Sequence, residues 1–181
     1  KRPVSGGTLS LESRHSPFDG WGEDQLSGSY NKGKSQIGVS VWQSYRDLHQ
    51  WRDNSETFNY QDGSSFTRME NGQPGALKIN NVYGNIYYNY KNGDKWYINT
   101  TLNLDYSRFK TNTSSTLFPI NDRNNFVNML DINNENTTRP WLDIYFQRNF
   151  NKNSTLIFDI VGTYIHNDIQ RNYTESKNTD I

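Results

Sequence analysis

Residues 51–69 gather the chain's most ligand-like side chains: Trp51, Arg52, Phe58, Tyr60, Phe66 and Arg68, around an Asp62-Gly63 pair. Exposed aromatic rings offer flat apolar surface on which a sugar or peptide can stack, and arginine beside them donates hydrogen bonds. Trp51, Arg52, Tyr60, Phe66 and Arg68 are therefore the expected ligand-binding set. The Asp-Gly pair predicts a hairpin turn in their midst. The competing expectation is that these rings pack on a neighbouring loop of the same fold.

Other chemistry is poorly supplied. His15, His49 and His166 are far apart in sequence, with no partner at the short spacings that metal sites favour. Asp131-Ile132-Asn133-Asn134-Glu135 opens like a calcium loop, but glycine is missing at the sixth position and Leu142 occupies the twelfth. An Asn-rich loop is expected there instead. No Gly-x-Ser-x-Gly elbow and no glycine-rich phosphate cradle occur. Glu23-Asp24 reads as a solubilising strand edge, not an acid–base pair. We expect no enzyme, no catalytic residue, no cofactor and no metal. Cysteine is absent, which excludes disulfides and thiolate-held metals. A net charge of zero gives no electrostatic argument for a nucleic-acid partner.

What would position the aromatic stretch is a set of strands. Three tight reversals lie sixty residues apart: Tyr30-Asn31-Lys32-Gly33-Lys34, Tyr90-Lys91-Asn92-Gly93-Asp94 and Phe150-Asn151-Lys152-Asn153-Ser154. Asn and Gly tolerate the positive φ that two-residue hairpin turns demand. Longer polar connections, expected to be irregular, occupy residues 16–23, 48–76 and 111–140. Period-2 alternation is clear between them. Ile37, Val39, Val41 and Tyr45 share a face, as do Val82, Ile86, Tyr88 and Tyr90. So do Trp96, Ile98, Leu102, Leu104 and Tyr106, and also Leu142, Ile144, Phe146 and Phe150. Shorter versions run through Leu9 and Leu11 and through Leu26 and Tyr30, and residues 156–164 are apolar on both faces. That makes about seven long strands in an antiparallel meander.

Short turns alternating with long connections put all short turns at one end of the sheet, as in outer-membrane barrels. The apolar faces favour lipid: Tyr30, Tyr90, Trp96 and Phe150 cluster at the short-turn end like an interfacial girdle. Ile37 to Tyr45 spans roughly 20 Å at a tilt near 40°, close to the apolar band of such barrels. Arg148 shares the apolar parity but lies near the turn, where its stem can reach water. No run of about 18 apolar residues exists, which excludes a transmembrane helix but not a barrel. Hydrophobic content of 32% is low, yet 14% aromatic residues argue against disorder. A secreted β-sandwich binding glycans through Trp51, Tyr60 and Phe66 is the soluble alternative, and a porin or adhesin barrel is the other. Seven strands do not close an even-numbered barrel, so residues 1–181 are expected to be one partial β-barrel domain.

The segment Lys1-Arg2-Pro3-Val4-Ser5-Gly6-Gly7-Thr8-Leu9-Ser10-Leu11 resembles the passage from plug into first barrel strand of a TonB-dependent outer-membrane receptor. Gln36-Ile37-Gly38-Val39, Ser44-Tyr45-Arg46-Asp47, Gly93-Asp94-Lys95, Tyr145-Phe146-Gln147-Arg148-Asn149 and Val161-Gly162-Thr163-Tyr164 are similar to the "outer membrane protein beta-barrel" branch of that family. The resemblance implies a 22-stranded plugged transporter in the bacterial cell outer membrane. Such a transporter imports a bulky nutrient such as a glycan, peptide or metal chelate. Its implied partners are outer-membrane lipid, the remainder of the barrel with its plug, and TonB through the plug region. No plug, TonB box or closing strand is seen in this sequence, so no residue of those parts is carried over.

Overall fold

Strands make up nearly all of the chain in the computed structural model, which describes residues 5–18, 20–151 and 153–177. They are β1 (Gly6–His15), β2 (Gly20–Lys32), β3 (Ser35–Gln50), β4 (Asn54–Asn59), β5 (Ser65–Gln73), β6 (Gly75–Asn92), β7 (Trp96–Pro119), β8 (Val127–Asn151), β9 (Ser154–Thr163) and β10 (His166–Lys177). No helix occurs among the described residues. The strands form an antiparallel meander sheet with hydrogen-bonded order β1-β2-β3-β6-β7-β5-β4. β8 lies against β7 and carries both β9 and β10.

All seven expected strands are present, and β4, β5 and β10 bring the total to ten. The turns form where asparagine and glycine predicted them. Gly33, Gly63 and Gly93 adopt φ of 62°, 81° and 53°, a region open to glycine at little cost. In the third reversal Asn151 Oδ1 accepts the Asn153 amide at 2.9 Å; Lys152 lies outside the described residues, as do Lys1 to Val4.

The long connections are the correction. Residues 48–76 were expected to be irregular, yet they hold the end of β3, all of β4 and β5, and the start of β6. Residues 111–140 hold the end of β7 and much of β8, leaving only 120–126 between strands. Asp131–Glu135, expected in an Asn-rich loop, is strand. The ladder is made by backbone groups, so polar segments rich in threonine extend readily once a neighbour is paired. Alternation fades there because both faces are polar, and with it the period-2 signal.

The residues sort into two compact units. The first takes in the chain up to Tyr45, Asn80–Ser107 and Asn136–Asp168. Its apolar side chains lie open to the surroundings. Ile37, Val39, Val41, Leu102 and Leu104 are exposed, while Ile98, Ile144 and Phe146 are half-buried. Phe146 is covered by its own face: its ring lies 5.5 Å from Trp96 and 6.1 Å from Phe158. β8 and β9 set Ile144 opposite Ile160 and Phe146 opposite Phe158, while β1 and β2 set Leu11 opposite Leu26.

The opposite face is polar and better covered. Asn103, only 4% exposed, accepts hydrogen bonds from the Tyr83 hydroxyl at 2.8 Å and the Asn85 amide at 2.5 Å. Asn99 donates to Asn89 at 2.6 Å, and Tyr145, Gln147 and Asn149 form a chain along β8. Gly38 lets Tyr87 lie flat on β3, since a Cβ there would meet the ring at 2.4 Å. Buried amides satisfied by one another are what a polar interior requires.

The second unit takes in Arg46–Ile79, Arg108–Glu135 and the chain from Ile169 onward. The β4–β5 hairpin forms here, and β5 pairs with β7 in the register Arg68 to Pro119 through Gln73 to Ser114. Among the described residues Phe118, 8% exposed, is the single buried apolar side chain of the protein; Glu70 and Ser115 are buried polar ones.

Candidate functional site

The five expected ligand-binding residues divide into two groups, both in the second unit. Tyr60, Phe66 and Arg68 belong to the hairpin. Its turn is closed by the Gly63 amide donating to the Tyr60 carbonyl at 3.1 Å, and by Ser64 donating to the Asp62 carboxylate. Those Ser64 bonds hold the Asp62 carboxyl below its ordinary pKa. Phe66 faces Phe58 across the hairpin with ring centroids 6.1 Å apart. Arg68 donates to Glu56 at 2.5 Å and lies 5.7 Å from the Phe58 ring centroid. Phe66 and Arg68 are thus occupied with cross-strand neighbours, and Tyr60 stands exposed at the tip.

Trp51 and Arg52 sit elsewhere, in the short connection from β3 to β4. That connection passes close over β5, since a Cβ on Gly72 would lie 2.5 Å from the Arg52 carbonyl oxygen. Only glycine leaves that room, and its amide donates to Asp53 Oδ1 at 3.0 Å. Arg52 Nη2 donates to Glu70 Oε2 at 3.1 Å, and the Ser115 hydroxyl donates to Glu70 Oε1 at 2.9 Å.

A cavity of about 350 Å³ opens beside this connection, lined by Trp51, Arg52, Gln73, Ser114, Asp131 and Arg171 among others. Ligand pockets commonly run from about 300 to 1,000 Å³, so this is a small one. Arg171, on β10, donates to both oxygens of Asp131, on β8. Its hydrogen bonds lower the Asp131 carboxyl below the usual carboxylate range, against a smaller upward push from burial. Each arginine of the pocket therefore faces a carboxylate, Arg171 that of Asp131 in the lining and Arg52 that of Glu70 behind it. What remains free is a large indole surface, two or more guanidinium N–H groups on Arg52, and amide and hydroxyl groups. Those groups can hold hydroxyls and a flat apolar ring face; they form no nucleophile–base pair.

Sequence reasoning missed Gln73, Ser114, Asp131 and Arg171. They come from four strands, and only the register of β5 on β7 and of β10 on β8 brings them near Trp51. No local signal marks them.

In the first unit His15 stands 3.0 Å from the Asp24 carboxylate and 3.3 Å from the Tyr45 hydroxyl, and Ser13 donates to Asp24 at 2.7 Å. Ser13 and His15 both address Asp24 and not each other, which is not the order a nucleophile needs. Among the described residues no three His, Asp or Glu side chains converge as metal ligands. Compared with protein-family models, with curated proteins and with solved structures, the chain matches none.

Proposed function

We propose that this chain is part of the wall of a transmembrane β-barrel in a bacterial outer membrane, within a receptor of the TonB-dependent kind that takes up a bulky nutrient. The observation that carries the reading is the inverted distribution of polarity in the first unit. Ile37, Val39, Val41, Leu102 and Leu104 are exposed on one face, while Tyr83, Asn85, Tyr87 and above all Asn103 are the covered side chains of the other. A soluble protein would gain by the reverse. A barrel wall needs apolar groups toward lipid and polar groups toward the lumen. In a sandwich the same aliphatic residues would lie dry between two sheets; here they share one open face. The TonB-dependent assignment rests on the motif resemblance, and lipid, plug and TonB are the partners that follow from it.

The pocket beside Trp51 serves as a ligand contact. Its paired charges and its indole surface suit an uncharged, hydroxyl-rich ligand such as a glycan better than an ion.

The test uses the full-length protein in bilayers containing brominated lipid, with a fluorophore attached by cysteine at position 39 or 40. Quenching at 39 but not at 40 is expected. Equal shielding from lipid at both positions would sink the membrane reading.

A further inference from the structure

One cation on the apolar face of the first unit meets no acid among the described residues. Arg148 follows Ile144 and Phe146 along β8 and lies opposite Leu156 of β9. Its guanidinium carbon is 4.5 Å from the Trp96 ring centroid and 4.6 Å from that of Phe150. Arg52, Arg68, Arg139 and Arg171 each hold a carboxylate. Arg148 holds none among the described residues. Two aromatic rings attract its charge, leaving its N–H groups for an acceptor that the described residues do not supply.

The same rim is rich in further cations. Lys32, Lys34, Lys91 and Lys95 flank the two glycine turns, where Asp94 is the sole acid. The turns are tied together: the Lys91 amide donates to the Lys34 carbonyl at 3.0 Å, Lys34 Nζ donates to Asn92 at 2.5 Å, and the Asn149 amide donates to the Lys95 carbonyl at 2.9 Å. Residue 149 is the neighbour of Arg148, so all five cations share one end of the first unit. The opposite end is different in kind, with Arg14 set among Glu12 and Glu23, and Arg139 bound to Asp105.

We propose that this rim binds the phosphate groups of anionic phospholipids, with Arg148 between Trp96 and Phe150 as the principal seat. A planar guanidinium presents paired N–H groups that match two phosphate oxygens. Lys32, at the parity of Tyr30, adds point charge at headgroup depth, where basic residues attract anionic lipid, while Lys34, Lys91 and Lys95 raise the positive potential of the rim from its polar face. Indole and phenyl rings belong at that same depth, with their apolar bodies toward the acyl chains. The inference rests on the membrane reading and names the lipid that reading would bring to this rim.

The experiment places the full-length protein in nanodiscs of phosphatidylcholine, with or without phosphatidylglycerol, and reads lipid retention by native mass spectrometry. Wild type is expected to retain phosphatidylglycerol preferentially, and Arg148→Gln to weaken that retention about tenfold, the scale of a lost hydrogen bond to a charged group. Arg148→Lys, which keeps the charge but not the fork, should fall between. If Arg148→Gln fails to fold, Arg148→Lys together with Lys32→Gln, at the parity of Tyr30, reads the same preference. Equal retention by wild type and variants overturns the headgroup seat while leaving the membrane reading intact. Displacement of the lipid by an equal concentration of inorganic phosphate overturns it too. A protein that enters neither kind of nanodisc overturns both.

Discussion

Arg171 grips Asp131 with two parallel hydrogen bonds, Nε to Oδ1 at 2.9 Å and Nη2 to Oδ2 at 2.6 Å. Forty residues separate them in sequence, and the pairing of β10 with β8 joins them at the pocket wall. Fork-to-fork geometry of this kind fixes orientation as well as charge. It pins β10 to the N-terminal half of β8, and it removes from the pocket the positive charge that Arg171 would otherwise bring.

The pair makes stability pH-dependent in acid. The Asp131 carboxyl titrates below its ordinary value because Arg171 donates to it. Its contribution is therefore complete above the ordinary carboxylate pKa of about 3.9 and is lost as pH falls through the lowered folded value. Thermal melts of wild type and Asp131→Asn should differ at neutral pH and converge in that acid range. Curves that stay parallel throughout would show the pair contributes nothing.

Ser115→Ala should destabilise by about 1–3 kcal/mol, the cost of leaving a buried acceptor unmet. Glu70 is 8% exposed and Oε1 has the Ser115 hydroxyl as its partner at 2.9 Å. Ser115→Thr, which keeps the hydroxyl, should recover part of the loss in the same denaturant titration.

Two glycines of β6 should respond oppositely to alanine. A Cβ on Gly75 would lie 1.9 Å from the Asn112 carbonyl oxygen, a backbone atom that cannot step aside. Gly75→Ala should cost about 1–3 kcal/mol, as overpacking does. A Cβ on Gly84 meets nothing within 4 Å. Gly84→Ala should be neutral or stabilising by about 0.4–1 kcal/mol through the unfolded chain. Melting temperatures of the two variants separate these outcomes.

Under the proposed function, Val39→Arg should impair membrane assembly while Ser40→Arg is tolerated. A charge facing lipid near the bilayer centre costs roughly 2–4 kcal/mol, and one facing a lumen costs far less. Folding yield into synthetic vesicles is the measurement, and equal yields would contradict the assignment of faces.

If the pocket holds a glycan as proposed, Trp51→Ala should abolish that binding, whereas Tyr60→Ala should not. Trp51 lines the cavity, and Tyr60 sits at the tip of the hairpin outside it. Isothermal titration against candidate glycans decides between them.

The strands that face lipid in this reading were legible because a face of one polarity imposes a period of two. Ile37, Val39 and Val41, or Leu102 and Leu104, declare themselves by spacing alone. The turns were legible because φ near 60° at Gly33 and Gly93 excludes most other residues. The C-terminal half of β7 and the N-terminal half of β8 were not legible: around Thr113, Ser115, Asn133 and Thr137 both faces of the strand carry polar residues. Nor was the pocket. Trp51 and Arg52 were visible as residue types, but their partners come from β5, β7, β8 and β10. Register, which no short window of sequence contains, decides that meeting.

Phe118 as the single buried apolar side chain among the described residues has a calorimetric consequence. The heat capacity of unfolding arises from apolar surface newly exposed to water, normally about 12–15 cal/mol/K per residue. A chain with so many aliphatic groups already facing outward has less apolar surface left to expose when it unfolds in water than a globular domain of its length. Its stability curve should therefore be flatter than that of such a domain. Cooling, which undermines proteins held together by the burial of oily groups, should weaken it less.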